Sequence, residues 1–506
     1  MRDRVVDRVG VRDERAGVPA ADLRRGRAHA RAQARRDGVL RGRGARVPAP
    51  ALGARAARTR RVARRAGRIA HGRGVRARAA PRGRAGGRVS SVAVIGGGFR
   101  GIASAWLLRR AGHAVTLVEA APAIGGLLRS TAWNGYWLDP GCHVFDNSDD
   151  DETTALLDLL GDAYHPIEVR YASWIGARAS EDSGVPRLDD LGAATSQRIV
   201  DECVAAARRP AEPARDLEQL FRARYGECAA GHLAAAARKA YGCDARELAP
   251  LVADLGVFRR VGIAPDAQAL ELKRDPRLDA IVAARPGADK LRFYRASAGS
   301  RAFRNYYPTG AGIGEFAARA HARLVELGVD VRTGCELAAL ALDARGARIE
   351  LHERASGRRT SARCDRVHWA LPPELLARSV AGAPALDAHV HGVPLLLFYF
   401  AIQSAAAGRY SYVNDYRPHT RVFRASCPGN YGSGNCPPGA NYVCCEVPAD
   451  RASELWTDAE RLSGEIFAEA RALGVHDAAT ARAAHVVRIP SALRLPTPSF
   501  EQGRAE

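Results

Sequence analysis

Apolar and polar positions fall into blocks along this chain, and their period changes several times. Val92 to Ile95 is an uninterrupted apolar run, as expected of a strand buried on both faces. Ile102 to Ala111 reads as a helix, and Ala114 to Val118 is a second apolar run. From Asp149 to about Gly287 the composition turns to Ala, Leu, Arg and Glu. Helical spacing appears there at Leu156, Leu157, Leu159 and Leu160, and again over Leu217 to Gly226. Phe316, Ala320, Leu324 and Leu327 share one helix face. Ala347 to Leu371 alternates and predicts a hairpin or meander turning at Ser356-Gly357. Four strand-like runs follow: Leu395 to Ile402, Tyr410 to Val413, Thr420 to Ser426 and Asn441 to Val447. Gly, Pro and Asn separate them, which predicts an antiparallel sheet. The whole predicts an α/β protein.

The first strand and helix are joined by Gly96, Gly98 and Gly101 in the spacing G-x-G-x-x-G, and the second strand ends on Glu119. Each part has a physical task in dinucleotide binding. Gly96 permits a tight turn, Gly98 lets a pyrophosphate approach the backbone, and Gly101 lets helix and strand pack closely. The helix N-terminus offers N–H groups to phosphate, and Glu119 offers an acceptor to a ribose hydroxyl.

Ala120 to Ser130 (AAPAIGGLLRS) then brings the doublet Gly125-Gly126 and Arg129. With these residues the chain resembles the flavin amine oxidase and protoporphyrinogen oxidase superfamily, which also holds UDP-galactopyranose mutases and phytoene desaturases. The resemblance implies a Rossmann-type FAD-binding domain and a second, substrate domain made of a helical cap and an antiparallel sheet. It implies FAD contacts at Gly96, Gly98, Phe99, Arg100, Gly101, Glu119, Gly125, Gly126 and Arg129. Trp137 to Phe145 (WLDPGCHVF) resembles the superfamily's next element and implies that His143 lies near the isoalloxazine ring; a hydrogen-bonded loop histidine is the alternative. Tyr306 to Leu340 resembles a later element, which puts the backbone of Cys335 at the adenosine end of FAD. The expected division is 1–88 tail, 89–150 and 301–390 FAD-binding, 151–300 helical cap, 391–450 antiparallel sheet, and 451–506 a helix with a shortened C-terminal segment.

Charge changes the picture in one region. Of 76 basic and 55 acidic residues, positions 1–90 hold 27 Arg and 6 acids, which is the entire surplus of +21. The tail has no Lys, no aromatic residue and no sustained periodicity, so disorder is its default. Met1 is the only methionine, and a start at Val89 would give a compact Rossmann N-terminus. An over-extended reading frame is therefore the preferred explanation, and a nucleic-acid-binding arm is the competing one. Ten cysteines without paired C-x-x-C motifs argue for packing rather than zinc or a disulfide scaffold, so no metal is expected. Val393 to Ile402, the longest apolar run, is far below the ~20 residues of a membrane span. A soluble cytoplasmic protein is the expectation.

Two departures bear on function. Amine oxidases proper carry a lysine on the first strand of the substrate sheet, whereas the last lysine here is Lys290. The superfamily also ends in a glycine-rich strand, loop and helix over the flavin, where this chain has Arg488 to Glu506, with Gly503 and Arg504 as its stub. Three readings stay open: an FAD-dependent oxidoreductase transferring hydride to flavin N5, a nucleotide-sugar isomerase like UDP-galactopyranose mutase, and an inactive truncated flavoprotein. The substrate would be a small molecule, a nucleotide sugar or an apolar polyene or tetrapyrrole, lying near His143, Tyr412 and Arg424. Tyr412, Tyr416, Arg421, Arg424 and Tyr431 could hold a uridine diphosphate; a solvated strand face is the plainer reading of the same alternation.

Overall fold

The computed structural model describes residues 89–146, 157–210, 212–285, 305–380, 382–383, 385–432 and 434–500. The tail 1–88, Leu156, the expected boundary near residue 300 and the stub Gly503-Arg504 lie outside the described residues.

Strand β1 (Ser91–Ile95), helix α1 (Phe99–Arg110) and strand β2 (Ala114–Val118) form one continuous parallel unit. The helix starts three residues before the predicted Ile102, because Gly98 itself takes the N-cap position. Ile102, Ala105 and Trp106 face the sheet, and Arg109 and Arg110 occupy the last turn, where cations suit the helix dipole. Strands β10 (Asp330–Arg332) and β14 (Arg366–Trp369) complete a four-stranded parallel sheet in the order β10-β2-β1-β14. Its other face meets an antiparallel sheet of β11 (Cys335–Asp343), β12 (Gly346–Glu353) and β13 (Arg359–Cys364). Strands β12 and β13 form the predicted hairpin, turning at residues 354–358 around Gly357 (φ +71°). Helix Gly314–Glu326 buries Phe316, Ala317, Ala320 and Leu324 against α1 and the parallel sheet.

Two expectations about the remainder are corrected. The segment 151–300 is not wholly helical. Helices Ala193–Ala207, Leu217–Tyr225 and Glu227–Tyr241 do build a core around Phe221, Tyr225 and Leu233. However, strands β6 (Tyr164–Ile167), β7 (Tyr171–Trp174) and β8 (Ala179–Glu181) precede them. The second sheet is also larger than 391–450, and it is mixed. It has seven strands in the order β19-β15-β18-β17-β16-β7-β8, with β15 (Val390–Gln403), β16 (Tyr412–Asp415), β17 (Arg424–Ser426), β18 (Ala440–Pro448) and β19 (Ala483–Pro496). Strand β7 joins β16 in parallel. Residues 488–496, expected to begin the shortened C-terminal segment, instead run along β15 as an edge strand. Its two prolines at 490 and 496 are tolerated because an edge strand has one unpaired side.

One face of this sheet is apolar. Phe398, Phe400, Val413, Ala425, Val443 and Cys445 pack there against helix Ser463–Ala472 through Ile466, Phe467 and Ala470. The opposite face carries Tyr412, Asn414, Arg424, Ser426 and Glu446, with Tyr399, Tyr442 and Cys444 beside them packed on the hairpin of β3 (Thr131–Trp133) and β4 (Tyr136–Leu138). Strict alternation along each strand separates the two.

Candidate functional site

Where β1 ends, the chain reverses through Gly96 (φ +101°), a conformation L side chains rarely adopt. A Cβ on Gly101 would lie 1.7 Å from the Gly96 carbonyl oxygen, so helix and turn touch only because that residue is glycine. At Gly98 nothing among the described residues lies within 4 Å of the would-be Cβ, which leaves that face of the turn open among them. Helix α1 begins there with no side-chain cap, and its first N–H groups have no intrahelical acceptor. Glu119 is anchored by two backbone donors: Oε2 accepts from Gly97 N–H at 2.7 Å and Oε1 from Ala121 N–H at 2.8 Å. Each oxygen keeps a lone pair for a ligand hydroxyl.

The second glycine motif joins the first. Gly125 N–H donates to the Gly97 carbonyl at 2.7 Å, Gly125 bridges Gly98, and Gly126 faces the Gly98 Cα. Cys335 N–H donates to the Glu119 carbonyl at 3.0 Å. Gly96, Glu119 and Cys335 thereby line one cavity of about 380 Å³, closed by Trp369, Leu371 and Arg378. Phe99 and Arg100 lie on the exposed first turn of α1, with the Phe99 ring 5.9 Å from Phe316. Arg129 is placed apart. It lines a separate cavity of about 260 Å³ with Ser130, Trp137 and His321.

Asp139, in the WLDPG segment, joins this region to the later segment around Tyr307 and Ile313. It is fully buried. Its Oδ1 accepts from Ser130 Oγ at 2.7 Å and Ile313 N–H at 3.0 Å, and Tyr307 donates its hydroxyl to Oδ2. Ser130 Oγ in turn accepts from Gly314 N–H at 2.8 Å. Burial pushes the Asp139 carboxyl up to about 6 despite these donors.

The three candidate substrate residues come together around an acid that the sequence reading missed. Glu446 accepts from Cys142 N–H at 3.1 Å and from Arg424 Nη1 at 3.3 Å. Arg424 Nε donates to Asn414 Oδ1 at 2.9 Å, so the guanidinium spans three strands. Burial lowers the pKa of His143, opposed by nearby Glu446; its Nε2 lies 3.2 Å from the Pro140 carbonyl. Tyr412 stacks on Tyr171 at 5.2 Å, and burial raises its hydroxyl pKa. A lone acid within the apolar run NYVCCEV was the available signal for Glu446, since such a charge needs a partner.

The five-residue cluster expected to hold a diphosphate is divided. Arg421 leaves the site to pair with Glu465 at 2.6 Å. Tyr416 enters the helical core and donates to the Gly184 carbonyl. The solvated-face reading fails too, because Tyr416 and Tyr431 are buried and Arg424 is held in the ion pair.

The sequence profile described as flavin containing amine oxidoreductase matches residues 101–396. The chain belongs to that family. Among curated relatives, protoporphyrinogen oxidase 2 of Arabidopsis thaliana is 41% identical over 70 residues, which is 14% of this chain and only 14% of that protein. Among solved structures, reduced UDP-galactopyranose mutase is similar with a TM-score of 0.60 at 17% identity, over 82% of this chain and 86% of that one. A putative protoporphyrinogen oxidase from Exiguobacterium sp. 255-15 has a TM-score of 0.54 at 13% identity, over 82% and 90%. At these identities the structures establish the fold. This member of the flavin-containing family has no described helix long and apolar enough to cross a membrane.

Proposed function

We propose that this chain binds FAD non-covalently and oxidises a small organic substrate. The observation that carries the reading is the open face at Gly98, set at an uncapped helix start beside Glu119 and continuous with Gly125-Gly126. A pyrophosphate fits that face, a ribose hydroxyl fits Glu119, and the 380 Å³ cavity at Cys335 takes the adenine end. Residues 89–150 and 301–390 would form the cofactor domain, and the helical core with the seven-stranded sheet would form the substrate domain. When bound, FAD supplies a two-electron acceptor at ring N5. The chain's own part is to hold the substrate against the polar sheet face and to exclude water. His143, kept neutral by burial, would line that space without carrying charge.

Oxidation is favoured over nucleotide-sugar isomerisation because Arg421 faces away and Glu446 already balances Arg424. The test is direct. Purified or FAD-reconstituted protein should show flavin absorbance and release the chromophore on acid precipitation. A pellet that stays yellow contradicts non-covalent binding, and failure to take up flavin overturns the reading. Oxygen consumption with a substrate supports oxidation, whereas product formation only after dithionite reduction supports isomerisation.

A further inference from the structure

The polar face of the seven-stranded sheet holds more hydrogen-bonding capacity than the protein itself uses. Asn414 pairs with Ser173 on β7 and with Arg424 on β17, and Arg424 pairs with Glu446 on β18, so these four lie in one register row. In the next row Tyr412 lies between Tyr171 and Ser426. Cross-strand partners project to the same face. Ser173 and Ser426 are 1% and 0% exposed, and neither hydroxyl oxygen has a hydrogen-bond partner among the described residues. Burying a hydroxyl without a partner costs free energy. The Arg424 side chain, by contrast, keeps a quarter of its surface accessible, so the row is reachable at Arg424.

We propose that this face recognises a neutral, hydroxyl-rich part of the substrate, such as a sugar ring or polyol, and that Glu446 selects against anions. The proposal deepens the oxidoreductase reading and rests on it for the place of the substrate. The charges decide the class. Arg424 and Glu446 together are neutral, so a phosphate or carboxylate would meet Arg424 only beside the carboxylate of Glu446. An approaching anion would lose its hydration without meeting an uncompensated cation. A hydroxyl both donates and accepts. Several hydroxyls on one neutral ligand can between them donate to Glu446, accept from Arg424 and pair with the hydroxyls of Ser173, Ser426 and Tyr412. The stacked rings of Tyr171 and Tyr412 add a flat apolar edge for the C–H face of a ring.

The experiment uses the full chain and three matched probes: D-glucose, D-glucuronate and D-glucose 6-phosphate, titrated by calorimetry with flavin content read separately by absorbance. The wild-type protein should bind glucose more tightly than either anion. Glu446→Gln leaves Arg424 uncompensated and should reverse the order, tightening glucose 6-phosphate about tenfold or more. Ser426→Ala should weaken glucose binding at least threefold without lowering the unfolding midpoint, because that hydroxyl has no partner among the described residues. A Ser426→Ala protein with a lowered midpoint and unchanged glucose binding would make the hydroxyl structural and overturn the proposal. So would a wild-type preference for either anion, unchanged selectivity in folded Glu446→Gln, or no binding of any probe. Absence of flavin alongside the expected selectivity would fault the cofactor reading and leave this one standing.

Discussion

Replacing Asp139 by Asn should make stability less dependent on pH, and by a calculable amount. The carboxyl is fully buried, and burial raises its pKa from 3.8 to about 6. The folded state thus holds this proton at pH values where the unfolded chain has lost it. The group's contribution to stability is complete below pH 3.8, declines as pH rises through 6, and is level above that. A separation of about two pH units corresponds to about 3 kcal/mol. Asn keeps an oxygen to accept from Ser130 and Ile313 N–H, and its amide can donate to the Tyr307 oxygen, so the local shape survives. It carries no titratable charge. Urea unfolding of both proteins at pH 4 and pH 7.5 should therefore show the difference between them moving by about 2.5 kcal/mol in favour of Asn at the higher pH, the remainder being already lost at pH 4. The double difference isolates position 139, because all other titrations are common to the two proteins. A difference constant to within about 0.5 kcal/mol would refute the buried-charge account, since additivity holds at about that level.

Gly101→Ala should cost about 3 kcal/mol or more by thermal or chemical unfolding and strip flavin from the protein, because its Cβ would overlap the Gly96 carbonyl oxygen. Unaltered stability there would mean that the turn relaxes freely. Glu119→Ala should weaken FAD binding by about 1–3 kcal/mol in an equilibrium titration, and unchanged affinity would remove Glu119 from the cofactor site. Asp415→Ala should destabilise by about 3–5 kcal/mol, since Lys239 at 3.3 Å and Arg417 at 2.9 Å would both lose a fully buried counter-ion. A loss under about 1 kcal/mol would show that Arg417 is held mainly by its stacking on Trp174.

The parts of this protein that could be read from sequence are those whose physics is local. Gly96 to Glu119 spans a single strand–helix–strand unit, and glycine at each position answers a steric demand from its near neighbours. Strands β7 and β8 were hidden for the opposite reason. They are three or four residues long, lie at the edge of helical composition, and apart from pairing with each other join the sheet only through the remote strand Tyr412–Asp415. Strand β19 was obscured by Pro490 and by a register shift in its partner between Val393 and Leu395, which breaks the alternation that would reveal it. The roles of Asp139 and Glu446 depend on Tyr307 and Arg424, which are remote in sequence. An acid in an apolar stretch says that a partner exists, but tertiary packing decides which.

The strand order of the larger sheet also fixes when it can be completed. Its strand β15, next to the edge, is synthesised some ninety residues before the edge strand β19 that pairs with it, while the β7–β8 pair precedes β16, which joins β7 to the sheet, by well over two hundred. Loops of that size close slowly, and until they close β15 exposes its hydrogen-bonding edge along fourteen residues. The helical core and the β1-α1-β2 unit draw on nearby sequence and can form first. The nascent chain would thus carry a built glycine-rich turn well before the seven-stranded sheet is complete, with an unpaired strand as its most aggregation-prone element during synthesis.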